Sequence, residues 1–147
     1  MSDPLRCVID ANVGIKRFIA DPLSAKTKQL LDTLSNPQTE IFIPDLFYIE
    51  IANIFWKYVR AELYSADQVQ IDLDILKRFP FKVISTSELM GEAVNLAINF
   101  GISAYDACYV ALSRRVNAPL LTLDKKLIKA LVGSSLNLRS FVDFTVP

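Results

Sequence analysis

Histidine is absent from all 147 residues of this chain. Its absence rules out imidazole acid–base catalysis and any histidine-ligated zinc site. Cysteine is nearly as scarce. Cys7 and Cys108 fall on different apolar elements and form no pair at metal-binding spacing, which reads as two buried free thiols in a reducing compartment. An excess of one charge is missing too, since sixteen Lys and Arg balance sixteen Asp and Glu. Neutrality leaves no bulk signature of nucleic-acid binding, so any such contact has to be local. No uninterrupted apolar run approaches the ~20 residues that cross a bilayer. The N-terminus reaches a strand within a few residues and shows no signal-peptide pattern. A soluble, cytoplasmic protein without a membrane partner is expected.

What the chain has in surplus is apolar side chains, at 52% of residues with mean hydropathy +0.30. That is enough for a single core across residues 1–147, with greasy surface left over for an oligomer or a partner protein to cover. Short apolar runs alternate with longer amphipathic stretches, the pattern of a largely parallel sheet wrapped by helices. Strands are expected at Arg6–Asp10, Glu40–Ile43, Phe81–Ile84 and Leu120–Thr122, with an edge strand at Asn137–Phe141. Helices are expected at Asn12–Ile19, Ser24–Leu34, Asp45–Ala61 behind Pro44, Ser65–Arg78, Ser85–Phe100 before Gly101, Ser103–Val116, and Lys125–Val132 before Gly133. Ser65–Gln68 and Ser85–Glu88 have the spacing of capping boxes.

Four carboxylates stand where this pattern calls for apolar residues. Asp10 ends the first strand, at the rim where open parallel sheets bind ligands. As a structural residue it would cap the helix that follows. Glu50 interrupts a helix that is apolar nearly all round, and with Asn53 and Lys57 it forms the only polar stripe on the middle turns. A buried carboxylate without a partner costs several kcal/mol and would protonate instead. Asp106 stands three residues after Ser103, where taken alone it reads as part of a helix cap before it reads as a catalyst. Asp124 follows a second buried strand and could cap the last helix. Together the four could converge, although carboxylates ~4 Å apart repel by about 4 kcal/mol at an effective dielectric near 20. Protons or a divalent cation must neutralise such a cluster, and Mg²⁺ or Mn²⁺ suits an all-oxygen set.

The chain resembles the PIN-domain nucleases, and within them the VapC-type toxins of toxin–antitoxin pairs. The likeness rests on Val8-Ile9-Asp10-Ala11-Asn12, on Pro44-Asp45-Leu46 leading to Glu50-Ile51-Ala52-Asn53, on Ser103-Ala104-Tyr105-Asp106-Ala107, and on Leu121-Thr122-Leu123-Asp124-Lys125-Lys126-Leu127. These four segments, in the family's order and spacing, span nearly the whole chain. The resemblance implies an α/β, three-layer fold with a central parallel sheet of four to five strands in order 3-2-1-4-5, flanked by helices. It also implies that Asp10, Glu50, Asp106 and Asp124 form one acidic pocket, catalytic and metal-holding. Asn12 stands where relatives often have Ser or Thr, and with Thr122 it would support those acids from behind.

The expected activity is a Mg²⁺- or Mn²⁺-dependent endoribonuclease, with one or two ions activating water for in-line attack on phosphorus. The resemblance implies products bearing a 5′-phosphate and a 3′-hydroxyl. Without histidine, an imidazole route through a 2′,3′-cyclic phosphate is excluded. Local positive charge for RNA is sought at Lys16, Arg17, Lys57, Arg60, Lys125 and Lys126, with Arg114 and Arg115 closing the helix that Asp106 opens. A homodimer and a cognate antitoxin are the expected protein partners, and the helices Asp45–Ala61 and Ser65–Arg78 the expected docking surfaces. Two other readings compete. One is a non-catalytic PIN module that binds RNA or protein. The other is a receiver-type phosphoacceptor domain, disfavoured by the single Asp after the first strand and by Val83-Ile84-Ser85, without an Asp, after the third.

Overall fold

The computed structural model describes residues 4–147. Five parallel strands form one sheet: β1 (Arg6–Ile9), β2 (Glu40–Pro44), β3 (Lys82–Ile84), β4 (Leu120–Thr122) and β5 (Leu138–Ser140). Their order is β3-β2-β1-β4-β5. The chain builds outward from β1 in one direction, then crosses back to lay β4 on the other side. Val8 pairs with Leu120 and Ile9 with Leu121, so the C-terminal ends of β1 and β4 stand side by side where the strand order reverses. Open α/β sheets bind ligands at this crevice, because the loops leaving the two strands diverge to opposite faces. Receiver-type domains use the order 2-1-3-4-5, and this sheet does not.

The central strands are continuous apolar runs, as a sheet covered on both faces requires. Cys7, Val8, Ile9, Ile41, Ile43, Leu120 and Leu121 are all fully buried. Among the described residues seven α-helices cover the sheet: α1 (Ala11–Gly14), α2 (Ser24–Asp32), α3 (Leu46–Arg60), α4 (Ala66–Leu76), α5 (Thr86–Phe100), α6 (Ala104–Val116) and α7 (Lys125–Leu131). Of these α6 is the most deeply set, its residues Ala107–Ser113 all buried against β1, β2 and β4. Gly101 ends α5 in the left-handed region at φ 67°, the conformation glycine adopts without penalty. Both cysteines are free and buried. Among the described residues no single helix is long and apolar enough to cross a membrane.

Several elements differ from expectation. The helix expected at Asn12–Ile19 is one α turn followed by a 3-10 turn, Ile15–Arg17. Pro44 closes β2 rather than opening α3, a strand-end position that needs no N–H from it. Asp45 then precedes α3 without capping it; its carboxylate accepts from Thr86 N at 3.0 Å, at the start of α5. Neither capping box closes. Ser65 caps α4 through Gln68 N, but the Gln68 amide turns to Asp72 at 2.9 Å. Ser85 accepts from Ser87 N instead of Glu88 N. Nor is α3 buried nearly all round. Phe47, Ile51 and Phe55 face the core, while Ile49 is 66% exposed and Trp56 53%.

Candidate active site

Asp10 leaves the end of β1 only 7% exposed. It occupies the position before α1, yet its carboxylate does not cap that helix. Oδ2 instead accepts from Thr122 Oγ1 at 2.9 Å and from Asn12 Nδ2 at 3.3 Å. Asn12 also reaches Thr122 Oγ1 at 3.3 Å and accepts from Leu123 N at 3.1 Å, and Thr122 Oγ1 accepts from Asp124 N at 3.1 Å. Two side chains therefore tie the ends of β1 and β4 together and hold Asp10 from behind.

The other three acids arrive from three more elements. Glu50 stands on the middle of α3, half-buried, and the Tyr109 hydroxyl of α6 donates to its Oε1 at 2.5 Å. Asp106 opens α6. Ser103 performs the capping there, accepting from Asp106 N at 3.1 Å, and the Asp106 side chain is half-buried. Asp124 does cap its helix, since Oδ1 accepts from Leu127 N at 3.0 Å. All four nevertheless line one cavity of about 750 Å³, together with Asn12, Asn53 and Lys57. The polar stripe of α3 thus lines this cavity, with Asn53 and Lys57 at its exposed edge.

The acids raise one another's proton affinity. Burial pushes Asp10 up to about 7, and nearby Glu50 and Asp106 push the same way, against the stabilising Thr122 hydrogen bond. Glu50 is raised by burial and by Asp106, with Tyr109 opposing. Burial and Asp124 raise Asp106. Such a cluster is a poor place for four negative charges and a good one for a proton or a cation. Its donors are hard carboxylate oxygens, the chemistry Mg²⁺ and Mn²⁺ take. Among the described residues, no three acids stand close enough to ligate one ion directly. Mg²⁺ keeps several waters and binds through one or two carboxylates, and that mode suits this spacing.

The model of the PIN domain family matches residues 7–131. The chain belongs to the PIN domain family. It is 33% identical over 125 residues to a protein named Ribonuclease VapC3 from Pyrobaculum aerophilum, which covers 84% of this chain and 92% of that one. Among solved structures, PAE2754 from the same organism superposes with a TM-score of 0.62 at 22% identity, over 90% of both chains. A toxin-antitoxin complex from Klebsiella pneumoniae gives 0.59 at 17%, covering 92% of this chain and 97% of that one. VapBC-1 from nontypeable Haemophilus influenzae gives 0.61 at 14%, covering 95% and 100%.

Within this PIN domain the basic residues are scattered. Lys57 alone of those considered lines the cavity. Lys16 pairs with Asp21 at 2.9 Å, and the Arg17 guanidinium lies over the Phe18 ring. Arg60 lies over Trp56 at 5.2 Å, next to the cavity wall. Arg114 and Arg115 reach Glu92 and Glu88 on α5, at 3.4 and 3.9 Å. Lys125 and Lys126 are exposed on the first turn of α7, beyond the cavity lining.

Sequence reasoning overlooked two features of the PIN site. One is the apolar wall formed by Ile49 and Trp56 of α3 and Tyr105 of α6, all more than half exposed. Exposed rings on otherwise amphipathic helices were its signal. The other is Tyr109, hidden within the apolar run Ala107–Leu112. A tyrosine in a buried apolar run needs an acceptor for its hydroxyl, but nothing along the chain says that the acceptor is Glu50, 59 residues away.

Proposed function

We propose that this PIN domain is a Mg²⁺- or Mn²⁺-dependent endoribonuclease and the toxin of a type II toxin–antitoxin pair. The observation that carries the reading is the meeting of Asp10, Glu50, Asp106 and Asp124, from four separate elements, in one cavity at the β1–β4 crossover. A 33%-identical relative named as a ribonuclease supports the choice of substrate. The four acids would hold one or two ions, directly or through water. A divalent ion bound there supplies Lewis acidity toward the phosphodiester and makes water a better nucleophile at neutral pH.

The chain's own residues do the rest. Asn12 and Thr122 fix the Asp10 carboxylate, so that it is oriented before substrate arrives. Lys57 in the wall offers a phosphate contact, and Trp56 and Tyr105 offer exposed rings on which unpaired bases can stack. Lys125 and Lys126 sit at the N-terminal end of α7, where the helix dipole disfavours cations. There they are placed to contact RNA phosphate.

An antitoxin partner is supported by the related structures, which include a toxin-antitoxin complex. Exposed Ile49 and Trp56 on α3 and Ile71 on α4 supply an apolar surface for it. A homodimer and a cytoplasmic location complete the proposal, the latter in keeping with two free thiols. The test is RNA cleavage by wild type, Asp10→Asn and Asp106→Asn, each in Mn²⁺ and in EDTA. Wild type should cut only with Mn²⁺, and each variant should lose activity by about a hundredfold or more. Equal cutting in EDTA, or full activity in both variants, would sink the metal-nuclease reading.

A further inference from the structure

Tyr109 is 1% exposed, within the stretch of α6 that is buried throughout. A buried tyrosine needs an acceptor, and a backbone carbonyl would serve. The acceptor here is Oε1 of Glu50, fifty-nine residues away in sequence, on another helix and on the cavity wall. The two helices are not held alike. α6 is clamped, with Ala107–Ser113 all buried. α3 turns part of its surface to solvent at Ile49, Asn53 and Trp56. A glutamate on such a helix has three torsions to wander through, and the tyrosine hydroxyl removes that freedom for one oxygen while leaving the other uncommitted.

We infer that Tyr109 is a positioning residue of the acidic site, its hydroxyl transferring the rigidity of α6 to the Glu50 carboxylate. The inference rests on the metal-nuclease reading above. Asn12 and Thr122 hold Asp10 from the strand side, and Tyr109 holds Glu50 from the helix side. Two of the four acids are thereby anchored by neutral donors, which orient them without occupying the cavity or cancelling the charge that attracts a cation. Removing such a support behind a ligand weakens metal binding by about 10- to 100-fold.

The test is Mn²⁺ affinity of the full chain, measured by calorimetry for wild type, Tyr109→Phe, Glu50→Gln and the double variant, with thermal midpoints recorded alongside. Tyr109→Phe should weaken Mn²⁺ by about tenfold. In the Glu50→Gln background the same change should add less than twofold, because the group through which Tyr109 acts is already gone. RNA KM should move less than kcat at subsaturating Mn²⁺. Losses that multiply in the double variant, or a Tyr109→Phe affinity within twofold of wild type, would overturn the inference and leave the nuclease reading standing. A Tyr109→Phe chain that unfolds while Glu50→Gln stays folded would assign the hydroxyl to the core and also overturn it. Wild type that fails to bind Mn²⁺, or is unaffected by Glu50→Gln, would bring down both readings together.

Discussion

Asp10 concentrates the physics of this site in one carboxyl group. Burial raises its proton affinity, the Thr122 hydroxyl lowers it, and two neighbouring acids raise it again, leaving it near 7 instead of 3.8. An acid whose folded pKa is raised contributes stability that is complete below the unfolded value and lost as pH rises through the folded one. The ion-free protein should therefore lose stability between pH 4 and about 7, by an amount on the order of a few kcal/mol. Glu50 and Asp106, both raised, act in the same direction. Calorimetry in EDTA should show a higher thermal midpoint at pH 5 than at pH 8, and a midpoint that climbs across that range would contradict this account. Asp21, whose pKa is lowered, does not interfere, because its contribution is lost only at more acidic pH. Asp10→Asn should flatten the dependence and raise the stability at pH 8 by about 1–2 kcal/mol. Cleavage should be lost in the same variant, so stability and activity move in opposite directions.

At the scale of elements, two roles overlap in Asp124, which both caps α7 and lines the cavity. Chemistry can separate them. Asparagine caps a helix as well as aspartate does, whereas alanine costs about 1 kcal/mol. Asp124→Asn should keep its thermal midpoint and lose activity, while Asp124→Ala should lose both. If Asp124→Asn retained full activity, the residue would be a cap alone. A second element-level prediction concerns the fit of α1 against α3. A Cβ added at Gly14 would meet the Phe47 ring at 2.7 Å, and Phe47 lies three residues before Glu50. Gly14→Ala should cost about 1–3 kcal/mol through overpacking and lower activity by displacing α3. Unchanged midpoint and activity would show that the ring swings away freely. Here the short α1 and its 3-10 extension have a reason, since the chain must pass close beneath α3 at this glycine.

For the whole molecule, the apolar surplus reappears as exposed side chains. Met90, Val94 and Ile98 form one stripe along α5, and Ile49 and Trp56 lie on α3. A chain this apolar should sediment as a dimer at micromolar concentration, and a strict monomer there would contradict the homodimer proposal. Much of the architecture was legible in the chain, because period and punctuation are local physics. Buried strands read as apolar runs, Gly101 announced the end of α5, and the acids ending β1 and following β4 marked the rim of the sheet. Other features were out of reach. Whether the Gln68 side chain closes a box with Ser65 depended on Asp72 competing for its amide, and whether Asp10 capped a helix depended on Thr122 arriving from 112 residues away. By itself the sequence determined which residue types were available: four acids, no imidazole, and an α/β alternation that puts carboxylates at strand ends. Only the tertiary structure decided which oxygens face the cavity and which serve the fold. Hydrogen-bond partners drawn from different elements are chosen by the packing of the sheet, and no spacing along the chain encodes that choice.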